Sequence, residues 1–259
     1  MTLVTILIFC LCAKPTLGQS SERITMWVGE YPPYTSSKAK EGGPLVRVVS
    51  RALEMITLES TLKYANWSDI PQKLEIGSAV SYPYTKSSER LSKFSYSDLL
   101  LSVRSHFFTY GERPSSLYKN KVYWRGKTHC RPRAWEMENF EARYKEFDFR
   151  QVRPATLEEC FEQMKAGKVD LVQMTDPVVW DLLRTRYQKA EGFRTLEDGD
   201  VTNEFFVIVS NRNPKARAIL DSFNKGLQQL KTSGEYRRIL EQTKMIAPEP
   251  TPTQGGRKK

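Results

Sequence analysis

Ile24-Thr25-Met26-Trp27-Val28, closed by Gly29, is a short β-rich run with a glycine stop. Tyr31-Pro32-Pro33-Tyr34 follows; its two prolines cannot donate to a ladder, so the stretch is a loop. After the break at Gly42-Gly43-Pro44, residues 45–58 place Leu45, Val48, Val49, Ala52, Leu53 and Ile56 at helical spacing. Leu62-Lys63-Tyr64-Ala65 then reads as a second strand, and residues 70–76 as a short helix ended at Gly77. Strand, helix, strand, helix in this order predicts an α/β layer over a mostly parallel sheet.

The same reading extends along the chain. Residues 94–101 and 106–110 are apolar, aromatic strand candidates, and a second unit opens at Lys121-Val122-Tyr123-Trp124. Residues 136–147 suit a charged helix. Thr156 and Glu159 form a capping box for a helix over 157–165, with Gly167 at its end. Residues 169–174 are a buried-type strand, 177–189 a helix and 205–209 an apolar strand. Ile219, Phe223, Leu227 and Leu230 mark a long helix, Gly234 a break, and residues 235–242 a last helix. The Pro-, Thr- and Gly-rich residues 246–259 end in Arg257-Lys258-Lys259 and are expected to be a disordered basic tail.

Composition bounds the class. The 259 residues carry 40 Lys+Arg against 30 Asp+Glu, a net charge of +10, with 39% hydrophobic residues. This is ordinary globular composition, and a mean hydropathy of −0.53 rules out a polytopic membrane protein. Only His106 and His129 are present, so multi-His metal sites are unsupported, and no metal or cofactor is expected. No Gly-rich phosphate loop, Gly-x-Ser-x-Gly elbow or Cys-x-x-Cys occurs, and no nucleic-acid motif accompanies the basic charge.

Residues 3–13 form an apolar run too short to span a bilayer, which takes about 20 residues. Lys14 and Pro15 stop it, and Thr16-Leu17-Gly18 supplies small residues for cleavage after Gly18. Residues 1–18 therefore read as a secretory signal peptide and the product as periplasmic or secreted; a buried N-terminal strand or helix is the alternative. Cys10 and Cys12 leave with the signal. Cys130 and Cys160 remain, and an even pair in an exported chain favours a disulfide over two free thiols. Such a bridge closes about 30 residues and stabilises by roughly 3–4 kcal/mol.

The ordered set of elements resembles a known family, the extracellular solute-binding proteins of family 3, amino-acid-binding periplasmic proteins. Four passages carry the resemblance: Val28-Gly29-Glu30-Tyr31-Pro32-Pro33-Tyr34; Tyr84-Thr85-Lys86-Ser87-Ser88-Glu89-Arg90 with Phe94-Ser95-Tyr96-Ser97-Asp98; residues 157–171 with Ala166-Gly167-Lys168-Val169-Asp170; and Phe205-Phe206-Val207-Ile208-Val209-Ser210. The resemblance implies the type II two-lobe fold. Residues 22–109 plus 205–245 form lobe one, residues 110–204 form lobe two, and hinge strands cross near Thr109 and Glu204. It also implies a monomer that captures a small polar or anionic ligand between closing lobes, for an ABC transporter permease or a sensor protein, without catalysis or nucleic acid.

By the same resemblance, Arg90 holds a ligand carboxylate through its planar fork of donors. Tyr84 and Thr85 belong to the same segment, with Thr85 at a position that bonds the ligand's polar head. Tyr31, Tyr34 and Trp67 form an aromatic set, either sandwiching the ligand or packing in the core. Lobe two departs from the family pattern. Cys130-Arg131-Pro132-Arg133-Ala134-Trp135 replaces a small anion-binding turn, and Thr175, with Asp176 beside it, replaces the ammonium-binding Asp. Arg131 and Arg133 are thus candidates for a second anionic group, with a solvated surface pair as the alternative. Two further functions are weighed. One is a protein-interaction module on a degenerate binding fold. The other is a cyclohexadienyl-dehydratase-like enzyme, in which Asp176 would replace an absent glutamate acid.

Overall fold

The computed structural model describes residues 23–111, 121–187 and 191–242. The leader, residues 1–18, and the tail, residues 246–259, lie outside the described residues.

Among the described residues, nine strands form one continuous curled sheet. Strand β1 (Ile24–Val28) pairs in parallel with β2 (Ser60–Tyr64) and β3 (Ala79–Tyr84). Strands β3 and β4 (Phe94–Tyr96) run antiparallel to the last five residues of β9 (Phe193–Ser210). The rest of β9 pairs antiparallel with β5 (Leu101–Tyr110), from Leu101 opposite Phe205 to Tyr110 opposite Phe193. Beyond β5 come β8 (Leu171–Thr175), β6 (Thr128–Cys130) and β7 (Arg150–Val152). The chain passes between the two halves of the sheet on β5 and β9. Within β5, Ser105 to Phe108 also pair antiparallel with β8.

Helices cover both faces. The helix α1 (Pro44–Glu54) starts where Gly43 turns with φ 102° and Pro44 fits the first helical position. Its buried stripe, Leu45, Val48, Val49, Ala52 and Leu53, is the one expected from spacing. Two short helices follow, α2 (Ile70–Lys73) and α3 (Ser88–Lys93), the latter capped by Ser87, which accepts from the Arg90 amide at 3.3 Å. In the second half lie α4 (Lys121–Trp124), α5 (Glu138–Tyr144), α6 (Leu157–Lys165) and α7 (Asp176–Leu182). Thr156 caps α6 as its sequence implied, accepting from the Glu159 amide at 3.2 Å. The chain closes with α8 (Ala216–Thr232) and α9 (Glu235–Gln242). α1 and α8 approach so closely that a Cβ at Gly226 would sit 1.9 Å from the Ala52 carbonyl oxygen. No described helix is long and apolar enough to cross a membrane.

Three elements differ from the sequence reading. The strand expected over 94–101 breaks after Tyr96: the Ser97 hydroxyl donates to the Asp98 carbonyl and accepts from the Val207 amide, which turns the chain out of β4. The two strands expected on either side of residues 102–105 are instead continuous through β5, because Ser102 to Ser105 pair with β9 despite their polar character. The strand expected over 205–209 is the end of an 18-residue strand that serves both halves. Cys130 and Cys160 are joined, with Cα atoms 5.5 Å apart, tying β6 to α6.

Candidate ligand-binding cleft

A cleft of about 550 Å³ lies between the two halves. It adjoins a second hollow of about 620 Å³, with which it shares Thr85, Arg131, Glu136, Gln173 and Asn203. Of the residues expected at the site, Tyr31, Trp67, Tyr84, Thr85, Arg90, Arg131, Arg133 and Thr175 all line it. They come from five separate stretches of chain, loops, strand ends and the helix α3, so only the fold brings them together.

Tyr31 sits in the loop after β1. Its ring stacks on Tyr34 with centroids 5.3 Å apart and meets Trp67, Trp135 and Phe205 edge-on at 6.5, 5.8 and 6.3 Å. Trp135 belongs to the opposite half, so this ring contact crosses the cleft. Trp67 is pinned from beneath: a Cβ on Gly29 would fall 2.3 Å from the indole, and its Nε1 donates to the Glu30 carbonyl at 3.2 Å. Burial raises the phenol pKa of Tyr31, and pushes that of Tyr84 up to about 12, so both remain hydroxyl groups.

Arg90 projects from α3. Its Nη1 donates to the Thr85 hydroxyl at 2.8 Å and to the Thr85 carbonyl at 3.2 Å, while the guanidinium carbon lies 5.2 Å from the Tyr84 ring centre. The aromatic face and the turn hold the fork in place and leave donors unused. Among the described residues no carboxylate forms an ion pair with Arg90.

Arg131 lies across from it, at the end of β6. Its Nε donates to the Glu136 carbonyl at 2.7 Å and its guanidinium stands 5.9 Å from the Trp135 ring. Burial drives its pKa down, and the fields of Arg153 and Arg90 add to that while Glu136 opposes it. Arg153, at the end of β7, braces the same turn, donating to the Arg133 and Trp135 carbonyls at 2.9 Å each. Arg133 is exposed at the rim. Thr175 is fully buried against the cleft, its hydroxyl facing those of Tyr31 and Tyr34 without a well-formed hydrogen bond to either.

Two expected residues are placed elsewhere. Tyr34 is fully buried in the core and does not line the cleft; its ring packs on Tyr31 and Phe205 because residues 31–35 fold back, Tyr31 bridging to Thr35. Asp176 also lies outside the cleft, its carboxylate 2.6 Å from His106 Nδ1. It follows Thr175 by one residue, and the change from strand to helix sends the neighbouring side chains to different sides. The residues that sequence reasoning missed are Arg153, Trp135, Glu136, Ser105, Gln173 and Asn203. Trp135 and Glu136 follow directly on the Arg131–Arg133 turn, whereas Ser105, Arg153, Gln173 and Asn203 are single polar residues with no local pattern to mark them.

No protein-family model and no curated protein sequence matches the chain. Solved structures do. A histidine kinase sensor domain with similarity to periplasmic binding proteins superposes with a TM-score of 0.70 at 18% identity, covering 86% of this chain and 96% of that one. ArtJ of Geobacillus stearothermophilus, an arginine-, lysine- and histidine-binding protein, gives 0.66 at 17% identity over 88% and 97%. An ancestral amino-acid-binding protein, a precursor of cyclohexadienyl dehydratase, gives 0.67 at 14% over 85% and 94%. The described residues therefore take the type II fold of the periplasmic binding proteins, two α/β halves on one curled sheet with a cleft between them.

Proposed function

We propose that this protein is an exported solute-binding protein that captures a small, carboxylate-bearing polar solute in the cleft. The observation that carries this reading is Arg90, a cleft-facing guanidinium fixed by Thr85 and Tyr84 and unpaired with any described carboxylate. A carboxylate is the natural complement of that fork. The proposed lobes are residues 22–109 plus 205–245 and residues 110–204, with hinge strands crossing near Thr109 and Glu204. A solute touching both lobes selects the closed arrangement, because only that arrangement supplies both sets of contacts. The bound form, as a monomer, then engages an importer or a sensor.

Thermal shift and calorimetry against a broad panel of amino acids and organic acids test the reading. At least one member raises the melting temperature, and Arg90→Ala weakens its binding at least tenfold, as expected for charge-assisted hydrogen bonds of about 1.5–3 kcal/mol. A panel in which nothing binds removes the reading. A dehydratase-like activity finds less support: it would need Asp176 as a proton donor in the cleft, and Asp176 lies outside it, engaged with His106.

A further inference from the structure

The charges facing the cleft do not balance. Arg90, Lys93, Arg131, Arg133 and Arg153 line it against Glu89 and Glu136, an excess of three positive charges. The two carboxylates are already engaged. Glu89 pairs with Lys93 at 2.6 Å, and Glu136 accepts the Asn139 amide at 2.7 Å at the start of α5 while opposing the charge of Arg131. Asp176, the acidic residue that directly follows the cleft strand β8, is turned to His106. A ligand ammonium therefore meets no unengaged carboxylate among the residues lining the cleft.

The second half instead offers a pair of partly buried guanidinium groups, Arg131 and Arg153. Arg131 has one donor committed, to the Glu136 carbonyl, and Arg153 commits one nitrogen, to two carbonyls of the same turn. Among the described residues their remaining N–H groups have no hydrogen-bond acceptor. Thr175 sets a fully buried hydroxyl against the same cleft, facing the Tyr31 and Tyr34 hydroxyls without a well-formed hydrogen bond to either. Glu136 acts on both guanidinium groups and Glu141 on Arg153, but among the described residues no carboxylate forms an ion pair with either. Partly desolvated cations with incomplete counter-charge, and a buried hydroxyl with a poorly formed hydrogen bond, are costly, and both costs fall if an anionic group of the ligand sits there. Arg90 and Thr85 occupy the opposite wall, so one small molecule spanning the cleft meets a cationic site at each end.

We propose that the ligand is a small dianion lacking an ammonium group, with one acidic group on Arg90 and Thr85 and the second on Arg131, Arg153 and Thr175. This rests on the solute-binding reading and narrows it. It also names Arg153 as a specificity-determining residue.

The test is calorimetry on the full mature chain, at low salt, with matched probes. These are the α,ω-dicarboxylates from succinate to pimelate, L-glutamate as the ammonium-bearing counterpart of glutarate, and L-glutamine as the zwitterion. A dicarboxylate should bind at least tenfold more tightly than its 2-amino counterpart, and weaken as salt is raised. Arg153→Gln should weaken that dicarboxylate at least tenfold, and by a larger factor than it weakens a monocarboxylate such as butyrate; equal loss for both overturns the role of Arg153, and circular dichroism verifies that the variant is folded. Arg131→Lys keeps the charge but loses the fork, and should fall between wild type and Arg153→Gln. Glutamate or glutamine binding as tightly as glutarate overturns the proposal and leaves the solute-binding reading standing. So does a protein that takes a solute from the broad panel but no dicarboxylate. Binding of nothing in either panel removes both.

Discussion

His129 shows how one side chain can report on the state of the whole second half. It is fully buried, its ring stacks on Phe140 with centroids 4.0 Å apart, and its Nδ1 lies 2.9 Å from the Gln151 side-chain oxygen. Burial pulls its pKa down to about 3, and the nearby Arg131 and Arg153 charges act in the same sense. The unfolded chain, with an ordinary imidazole, takes up a proton first as pH falls. The contribution of His129 is therefore intact above about pH 6.5 and is lost progressively down to about pH 3. Between pH 6.5 and 5 the loss is about 2 kcal/mol. Urea melts across that range should show His129→Gln to be less acid-sensitive than wild type. Residues of this kind were only partly legible in the sequence. Arg90, Tyr31 and Trp67 stood in recognisable segments, whereas Arg153 was one arginine among many.

The helix α3 that carries Arg90 is capped from across the cleft. The Glu138 carboxylate, at the start of α5, accepts the amides of Ser88 and Glu89 at 3.1 and 3.2 Å, and Asn139 Nδ2 donates to the Lys86 carbonyl at 2.7 Å. A carboxylate at a helix N-terminus meets unsatisfied N–H groups and the positive end of the dipole. These contacts join the two halves without any ligand. The hydrogen bonds from Ser88 and Glu89 hold the Glu138 carboxyl below the usual range, so the contact is present at neutral pH and fails as pH falls through that lowered value. Glu138→Gln combined with Asn139→Ala should raise the radius of gyration of the ligand-free protein in X-ray scattering. Ligand affinity should fall by about two- to tenfold. At this scale α1, α6, α8 and α9 were readable, because their apolar residues recur at helical spacing and glycine, proline or a Thr156 cap marks their ends. The strand β3 was not, since Ser81 and Pro83 interrupt its alternation, and β6 and β7 are three residues each.

For the whole molecule, the Cys130–Cys160 bridge closes a 30-residue separation and fastens the turn bearing Arg131 to α6. Removing it should cost roughly 3–4 kcal/mol by the chain-entropy estimate. Cys130→Ala with Cys160→Ala should melt several degrees lower, and thiol titration of the unreduced mature protein should find neither cysteine free. The bridge also supports the cleft, so the double variant should bind its solute more weakly even well below its melting temperature.

Sequence by itself determined the local elements and the α/β class, because periodicity, capping and proline placement act within a few residues of chain. It also determined the type of charge available: basic residues in excess, and a turn after Cys130 that carries two arginines. Only the tertiary structure decided which charges meet. The pairing of β5 with β9 and β8 places Arg90 opposite Arg131 and Arg153, turns Asp176 away to His106, and sets the buried Thr175 hydroxyl against those of Tyr31 and Tyr34. These relations join residues tens of positions apart, and no local pattern encodes them; they follow from the register of long-range strand pairs, which the packed core alone fixes.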